Sequence, residues 1–192
     1  MQKVIGVDEV GRGAWAGPLV VGAVLLGQKI HGLKDSKKLT KSQREDLAKI
    51  INSTAEFVGL GWVSASEVDD LGLTKATTLA CQRALKKAPK GIKILIDGNF
   101  NYLSGDKIHQ QVECVVNGDA GVAEISAASI VAKVARDEYM SNQGKLYPNY
   151  GFEKNVGYGT SQHLASIREK GLTPLHRWSF KPIKDIMDTY EA

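Results

Sequence analysis

The chain has 192 residues, room for one domain with a substantial core and at most a small appended part. With 43% hydrophobic and 24% charged residues it excludes a disordered chain, and its formal charge of +4 favours a polyanionic partner without establishing one. The two cysteines, Cys81 and Cys114, stand in apolar contexts without CxxC spacing, which argues against a disulfide framework and a zinc site.

In chain order, "MQKVIGV" enters a strand with no charged-then-apolar leader. "AWAGPLVVGAVLLG" contains a proline and falls short of the ~20 residues a membrane helix needs. A cytoplasmic protein that does not meet a membrane is expected. "KVIGVD" reads as a buried strand running into Asp8 and Glu9, followed at once by Gly11-Arg12-Gly13. "PLVVGAVLL" is a second strand, rich in β-branched residues. "DSKKLTKSQREDLAKIIN" is a polar turn and then a helix, with Thr40 and Gln43 at capping-box spacing.

"AEFVGLGWVS" reads as a third strand, and "SEVDDLGLTKATTLACQRALKK" as a helix broken near Gly72 and stopped by Pro89. "IKILID" is a strand ending at Asp97, and "HQQVECVVNGD" another that ends at Asp119. "GVAEISAASIVAKVARDEYM" is a helix whose many small residues let it lie close to a sheet. The remainder is rich in tyrosine and glycine and reads as a smaller, mostly helical part. The expected division is 1–140, the sheet-bearing part, and 141–192, a helical extension packed on it. The alternation of strand and helix predicts an α/β sheet covered on both faces.

Three predicted strands thus end in acid: Asp8 with Glu9, Asp97, and Asp119. Ligands of open α/β sheets gather outside strand ends. Carboxylates brought together repel and call for cations, and an oxygen-only set suits Mg²⁺ or Mn²⁺. Two such ions ~3.5–4 Å apart are a standard device for phosphodiester hydrolysis. Taken singly, an Asp after a strand is more often a turn former or a helix cap, and Asp119 precedes a helix. Residue types alone leave both readings open. Gly11-Arg12-Gly13 allows close backbone approach to a ligand and offers a guanidinium for phosphate.

The motifs "DEVGRG…AGP", "DSKKLT…R", "LIDGN", "GDA…EISAASIVAKVARD", "YPNYGF", "GYGT…H" and "HRWSFKP" occur in the order found in bacterial ribonuclease HII, and the chain resembles that family from roughly residue 4 to residue 182. The resemblance implies a ribonuclease H-like mixed five-stranded sheet flanked by helices, with a helical C-terminal extension. It implies a metal-dependent endoribonuclease that degrades the RNA of RNA–DNA hybrids and cuts 5′ of ribonucleotides embedded in duplex DNA, leaving 3′-hydroxyl and 5′-phosphate ends. The roles implied are ribonucleotide excision repair and primer removal. By resemblance, Asp8, Glu9, Asp97 and Asp119 hold two Mn²⁺ or Mg²⁺ ions. Gly11, Arg12 and Gly13 sense the 2′-hydroxyl, and Tyr158 packs on the sugar at the RNA-to-DNA step. Arg44 and Lys37 are implied phosphate contacts, although charges such as Lys37, Lys38 and Arg44 are as often a solvated helix face.

Two places depart from the family pattern. Ala14-Trp15 stands where a proline commonly follows the Gly-Arg-Gly, and Asn155-Val156 stands where His-Lys often precedes Gly-Tyr. The second change is expected to remove a basic residue near the substrate channel and so to alter tightness of binding or junction preference. His163, His176 and Arg177 read as structural. The end "KDIMDTYEA" has Tyr190 but lacks the glutamine and paired aromatics of a sliding-clamp peptide, and a monomer is expected. Two competing functions stay in view: a related metal nuclease that cuts DNA junctions, and a hybrid-binding protein without catalysis.

Overall fold

The structure, a computed structural model, describes residues 3–33, 36, 39–105 and 111–191. Five strands form one sheet: β1 (Val4–Val10), β2 (Leu19–Leu25), β3 (Phe57–Val63), β4 (Lys93–Asp97) and β5 (Val112–Val115). Their order across the sheet is β3-β2-β1-β4-β5. β1 pairs antiparallel with β2, which pairs antiparallel with β3; β1–β4 and β4–β5 are parallel. The mixed five-stranded sheet expected from the sequence is therefore present, with β1 at its centre.

Helices cover both faces. α1 (Lys41–Thr54) begins with the Thr40–Gln43 capping box, both of whose hydrogen bonds form. α2 (Ala65–Leu71) and α3 (Leu73–Leu85) are separated at Gly72, the expected break, and α3 ends four residues before Pro89. β2 is buried along its whole length, as a central strand with two covered faces must be. On one face Ile5, Val7, Leu19, Val21 and Ala23 pack against Ala76, Ala80 and Ala84 of α3. On the other, Val24 joins Ile51 of α1 and Ala127, Ala128 and Ile130 of the long helix α5 (Ala123–Leu146). α5 lies so near the sheet that a Cβ at Gly22 would run into the carbonyl of Ala128, which is why this strand position is a glycine.

The path to Asp119 differs from expectation. β5 stops at Val115, because Asn117 turns the chain with φ of 55°, and the one-turn helix α4 (Gly118–Gly121) carries Asp119 in its first turn. Asparagine tolerates this left-handed conformation better than most residues. Asp119 is thus a helix residue, not the end of a strand.

Residue 140, where the sequence suggested a division, falls inside α5, which runs on to Leu146. α6 (Phe152–Asn155), α7 (Ser161–Lys170) and α8 (Lys181–Glu191) follow. They share a third apolar cluster of Met140, Tyr150, Phe152, Ile167, Ile183 and Ile186, into which Ala16 and Trp15 from the β1–β2 connection also pack. The side chain of Tyr190 lies outside the described residues. No helix among the described residues is long and apolar enough to cross a membrane.

Candidate active site

Successive strand residues point to opposite faces of a sheet, so Asp8 and Glu9 cannot be equivalent neighbours. Asp8 faces α5, where Ser129 hydrogen-bonds its carboxylate, and its Oδ1 also accepts the Glu9 backbone N–H at 2.7 Å. Glu9 faces the α3 side, where Arg12 Nη1 reaches its Oε1 at 3.4 Å. Asp97 ends the parallel neighbour β4, one residue beyond the Val7–Ile96 pair, so it arrives between them. Its Oδ1 accepts the Gly118 N–H at 2.7 Å, which fastens the strand end to α4.

Asp8, Glu9 and Asp97 line one recess of about 370 Å³ together with Gly11, Arg12, Gly13, Ser36, Ser129, Lys133 and Tyr158. The structure thus brings together three of the four expected acids, the whole Gly-Arg-Gly and Tyr158. Asp119 is buried one residue from Gly118 and does not line the recess. Arg44 is also outside it: its guanidinium donates to the carbonyls of Ser36 (3.0 Å) and Leu39 (2.5 Å). That grip sets Ser36, whose Oγ lies 2.9 Å from Ser129 Oγ, so Arg44 shapes the wall through backbone. Lys37 lies outside the described residues. Lys133, paired with Asp137 at 2.8 Å, was missed by sequence reasoning, although its offset of four from Ser129 puts both on one helix face.

The electrostatics are those of an anionic cluster short of positive charge. Burial first, then the charges of Glu9 and Asp97, push the Asp8 carboxyl up to about 7 against the pull of Ser129. Burial also raises Glu9, against the opposing effect of Arg12. Among the described residues no group of three or more His, Cys, Asp or Glu side chains converges tightly enough to hold an ion as it stands. The donor set nevertheless fits a hard divalent cation: it is all carboxylate oxygen, and a cation would offset the repulsion that raises Asp8.

Two buried arginines support the Gly-Arg-Gly loop and the segment carrying Tyr158 from behind. Arg136 of α5 donates to the carbonyls of Pro18 (2.9 Å), Ala16 (3.2 Å) and Val156 (2.8 Å), and its guanidinium carbon lies 5.5 Å from the Tyr158 ring centroid. Gly11 passes so close to Arg136 that a Cβ there would collide with the guanidinium, and its φ of 84° also demands glycine. Arg177 donates to Gly17 O and, at 2.9 Å, to Arg12 O. Burial and the nearby Arg136 push Arg177 down to about 9, which leaves it charged at neutral pH. Backbone carbonyls replace carboxylates as its partners.

Both departures from the family pattern acquire a physical account. Trp15 N–H donates to Gly157 O at 2.8 Å, its carbonyl accepts from Arg177 N–H, and its ring covers Gly159 so closely that no Cβ fits there. Trp15 therefore ties the Gly-Arg-Gly loop to the segment carrying Tyr158. Asn155 is buried and donates to Tyr150 O while accepting from Gly157 N–H. It forms the turn before Tyr158 and does not line the recess. Val156, also absent from the recess lining, offers its carbonyl to Arg136.

The ribonuclease HII family model matches residues 5–183. The chain belongs to the ribonuclease HII family. A ribonuclease HII from Geobacillus sp. (strain WCH70) is 44% identical over 191 residues, spanning 98% of this chain and 67% of that relative. The crystal structure of ribonuclease H2 from Pyrococcus horikoshii OT3 superposes with a TM-score of 0.84 at 27% identity, covering 99% of each chain. A crystal structure of Bst-RNase HIII in complex with Mn²⁺ shares the fold, with a TM-score of 0.74 at 24% identity, over 98% of this chain and 70% of that one. As a member of the ribonuclease HII family, the protein is an endoribonuclease that hydrolyses the RNA of RNA–DNA hybrids and depends on divalent metal.

Proposed function

We propose that the protein cuts the phosphodiester on the 5′ side of a ribonucleotide, in hybrids and singly embedded in duplex DNA, leaving 3′-hydroxyl and 5′-phosphate ends. Its place would be ribonucleotide excision repair and primer removal. The observation that carries this reading is the shared recess: carboxylates on its floor, Gly11-Arg12-Gly13 on one wall and the Tyr158 ring on another. The 2′-hydroxyl distinguishes RNA from DNA at a given position, and a backbone wall facing a sugar-sized ring is suited to feel it.

Asp8, Glu9 and Asp97 would hold the metal, Mg²⁺ or Mn²⁺, with Asp119 completing the set. When bound, such ions lower the pKa of water and stabilise charge on the phosphate oxygens. The protein supplies the rest. Ser129 orients Asp8, Gly118 N–H orients Asp97, and Arg12 offsets part of the burial that disfavours the Glu9 charge. The Arg12 carbonyl, fixed by Arg177, sets the direction in which the loop presents its polar groups to the sugar.

The test is a duplex with one ribonucleotide beside an all-DNA control, each with and without Mg²⁺ or Mn²⁺. Metal-dependent cutting of the first alone, at the 5′ side, is the expected result. Equal cutting of both would favour a DNA-junction nuclease and overturn the reading; binding without cutting would leave a hybrid-binding protein.

A further inference from the structure

On the other side of Glu9, Arg12 and Asp97 lies a second recess of about 240 Å³, which those three residues share with the first. Its remaining lining is Thr74, Gly98, Asn99, Phe100 and Tyr102, from the start of α3 and the loop after β4. Phe100 is half exposed at the rim. Exposed single apolar residues are ordinary, so exposure alone says little.

Its support is less ordinary. The loop is fastened down on either side of the ring's neighbour: Tyr102 is 5% exposed, and Leu103, 2% exposed, donates its N–H to Asn101 Oδ1 at 2.9 Å. The Phe100 and Tyr102 rings are 4.9 Å apart between centroids, inclined by 51°. The Tyr102 hydroxyl accepts a hydrogen bond from Arg12 Nη1, and the Arg12 guanidinium lies over its ring. Phe100 is therefore held outward by a buried partner that also positions the cation of the Gly-Arg-Gly loop.

We propose that Phe100 is a second nucleotide subsite, on the opposite side of the carboxylates from Tyr158, where its ring packs against the sugar and base edge of a flanking nucleotide of the cleaved strand. This rests on the function proposed above. A phosphate between the two rings faces Arg12 and the metal-holding carboxylates, so one strand engages both recesses. A phenyl ring has no donor or acceptor, so the contact is blind to sequence, and its preset orientation loses little entropy on binding.

The test measures binding of a fluorescein-labelled RNA–DNA hybrid by anisotropy in an Asp97→Asn background, which separates binding from cleavage. Phe100→Ala should weaken binding roughly tenfold, in the lower part of the range for losing one aromatic–nucleotide contact, and Phe100→Trp should restore it. In the otherwise native enzyme, Phe100→Ala should raise KM more than it lowers kcat. Unchanged affinity in Phe100→Ala, or equal weakening in Phe100→Trp, would overturn the subsite. Because Phe100→Ala also uncovers Tyr102, its thermal midpoint is measured alongside; weakened binding that tracks a loss of folding and persists in a refolded, stabilised preparation of Phe100→Trp counts against the subsite. If the native enzyme cuts the hybrid and Phe100→Ala binds as well as its parent, only the subsite falls. Should the native enzyme neither bind nor cut hybrid, both readings fall together.

Discussion

His163 Nδ1 lies 3.0 Å from the carbonyl oxygen of Tyr158, and its other nitrogen lies 3.0 Å from His176 Nε2. His176 Nδ1 in turn takes the Thr173 N–H at 2.9 Å. These partners assign the protons: His176 Nε2–H donates to His163, and His163 Nδ1–H donates to Tyr158 O. Both rings are neutral, fully used and buried, and the line they form ends on the residue whose ring borders the carboxylate recess.

The histidine pair makes stability fall in mild acid. Burial first, then the neighbouring His163, lower His176 from an ordinary 6.5 to about 4, and burial lowers His163 as well. Between those values the unfolded chain takes a proton that the folded protein refuses, so the stabilisation is complete above pH ~6.5 and lost as pH falls toward 4. His176 alone accounts for at most about 3 kcal/mol of that change. Asp8, raised to about 7, works in the opposite direction, so the pair shows as a difference: between pH 7 and 4.5 the urea midpoint of the native protein should lose ground relative to that of His176→Asn, and parallel profiles would show that the pair does not contribute.

The arginine clamp should behave as a unit. Arg136→Met strands three backbone carbonyls and should cost on the order of 3 kcal/mol in chemical denaturation, since buried acceptors lose their partners. Arg136→Lys should recover only part of this, because one ammonium cannot span the three directions. A lysine variant as stable as the native protein would refute the role of the fork.

Trp15 and Gly159 should be energetically coupled. Gly159→Ala puts a methyl into the Trp15 ring and should cost about 1–3 kcal/mol, as overpacking does. In a Trp15→Ala background the same change should cost much less. Additive costs would mean that the ring moves aside freely. If Trp15 braces the Tyr158 segment, Trp15→Ala should also narrow the preference for an embedded ribonucleotide over an all-DNA duplex.

Divalent cation should stabilise the fold as well as support cleavage. Since Asp8, Glu9 and Asp97 repel one another, Mg²⁺ or Mn²⁺ should raise the thermal midpoint by several degrees at concentrations well above its dissociation constant. Asp97→Asn should reduce that shift, abolish cleavage and leave hybrid binding largely in place. An undiminished shift, or cleavage at the native rate, would place the ion elsewhere.

What could be read along the chain was what local spacing encodes. The capping box at Thr40, the break at Gly72, the apolar runs of β1, β2 and β4, and the small residues of α5 all depend on neighbours within a turn or two, and these elements formed as expected. Asp119 was misplaced because a single asparagine in a left-handed conformation ended β5 early, a choice that a weak, half-exposed edge strand leaves open. Ordered motifs also pointed to the family, because the same residue types recur in the same order.

Tertiary structure alone decided which of those residues meet. Asp8 and Glu9 adjoin in sequence yet face opposite sides of the sheet, and Asp97 joins them only because β4 lies parallel to β1. Arg177 reads as structural in the sequence and Arg136 is not singled out there; both are buried because carbonyls from residues 12 to 18, more than a hundred positions away, converge on them. Trp15, a departure with no explanation in the sequence, is explained by a glycine 144 positions later. Local propensity is a property of neighbours along the chain, whereas desolvation and charge coupling depend on neighbours in space, which exist only once the sheet and its helices have packed.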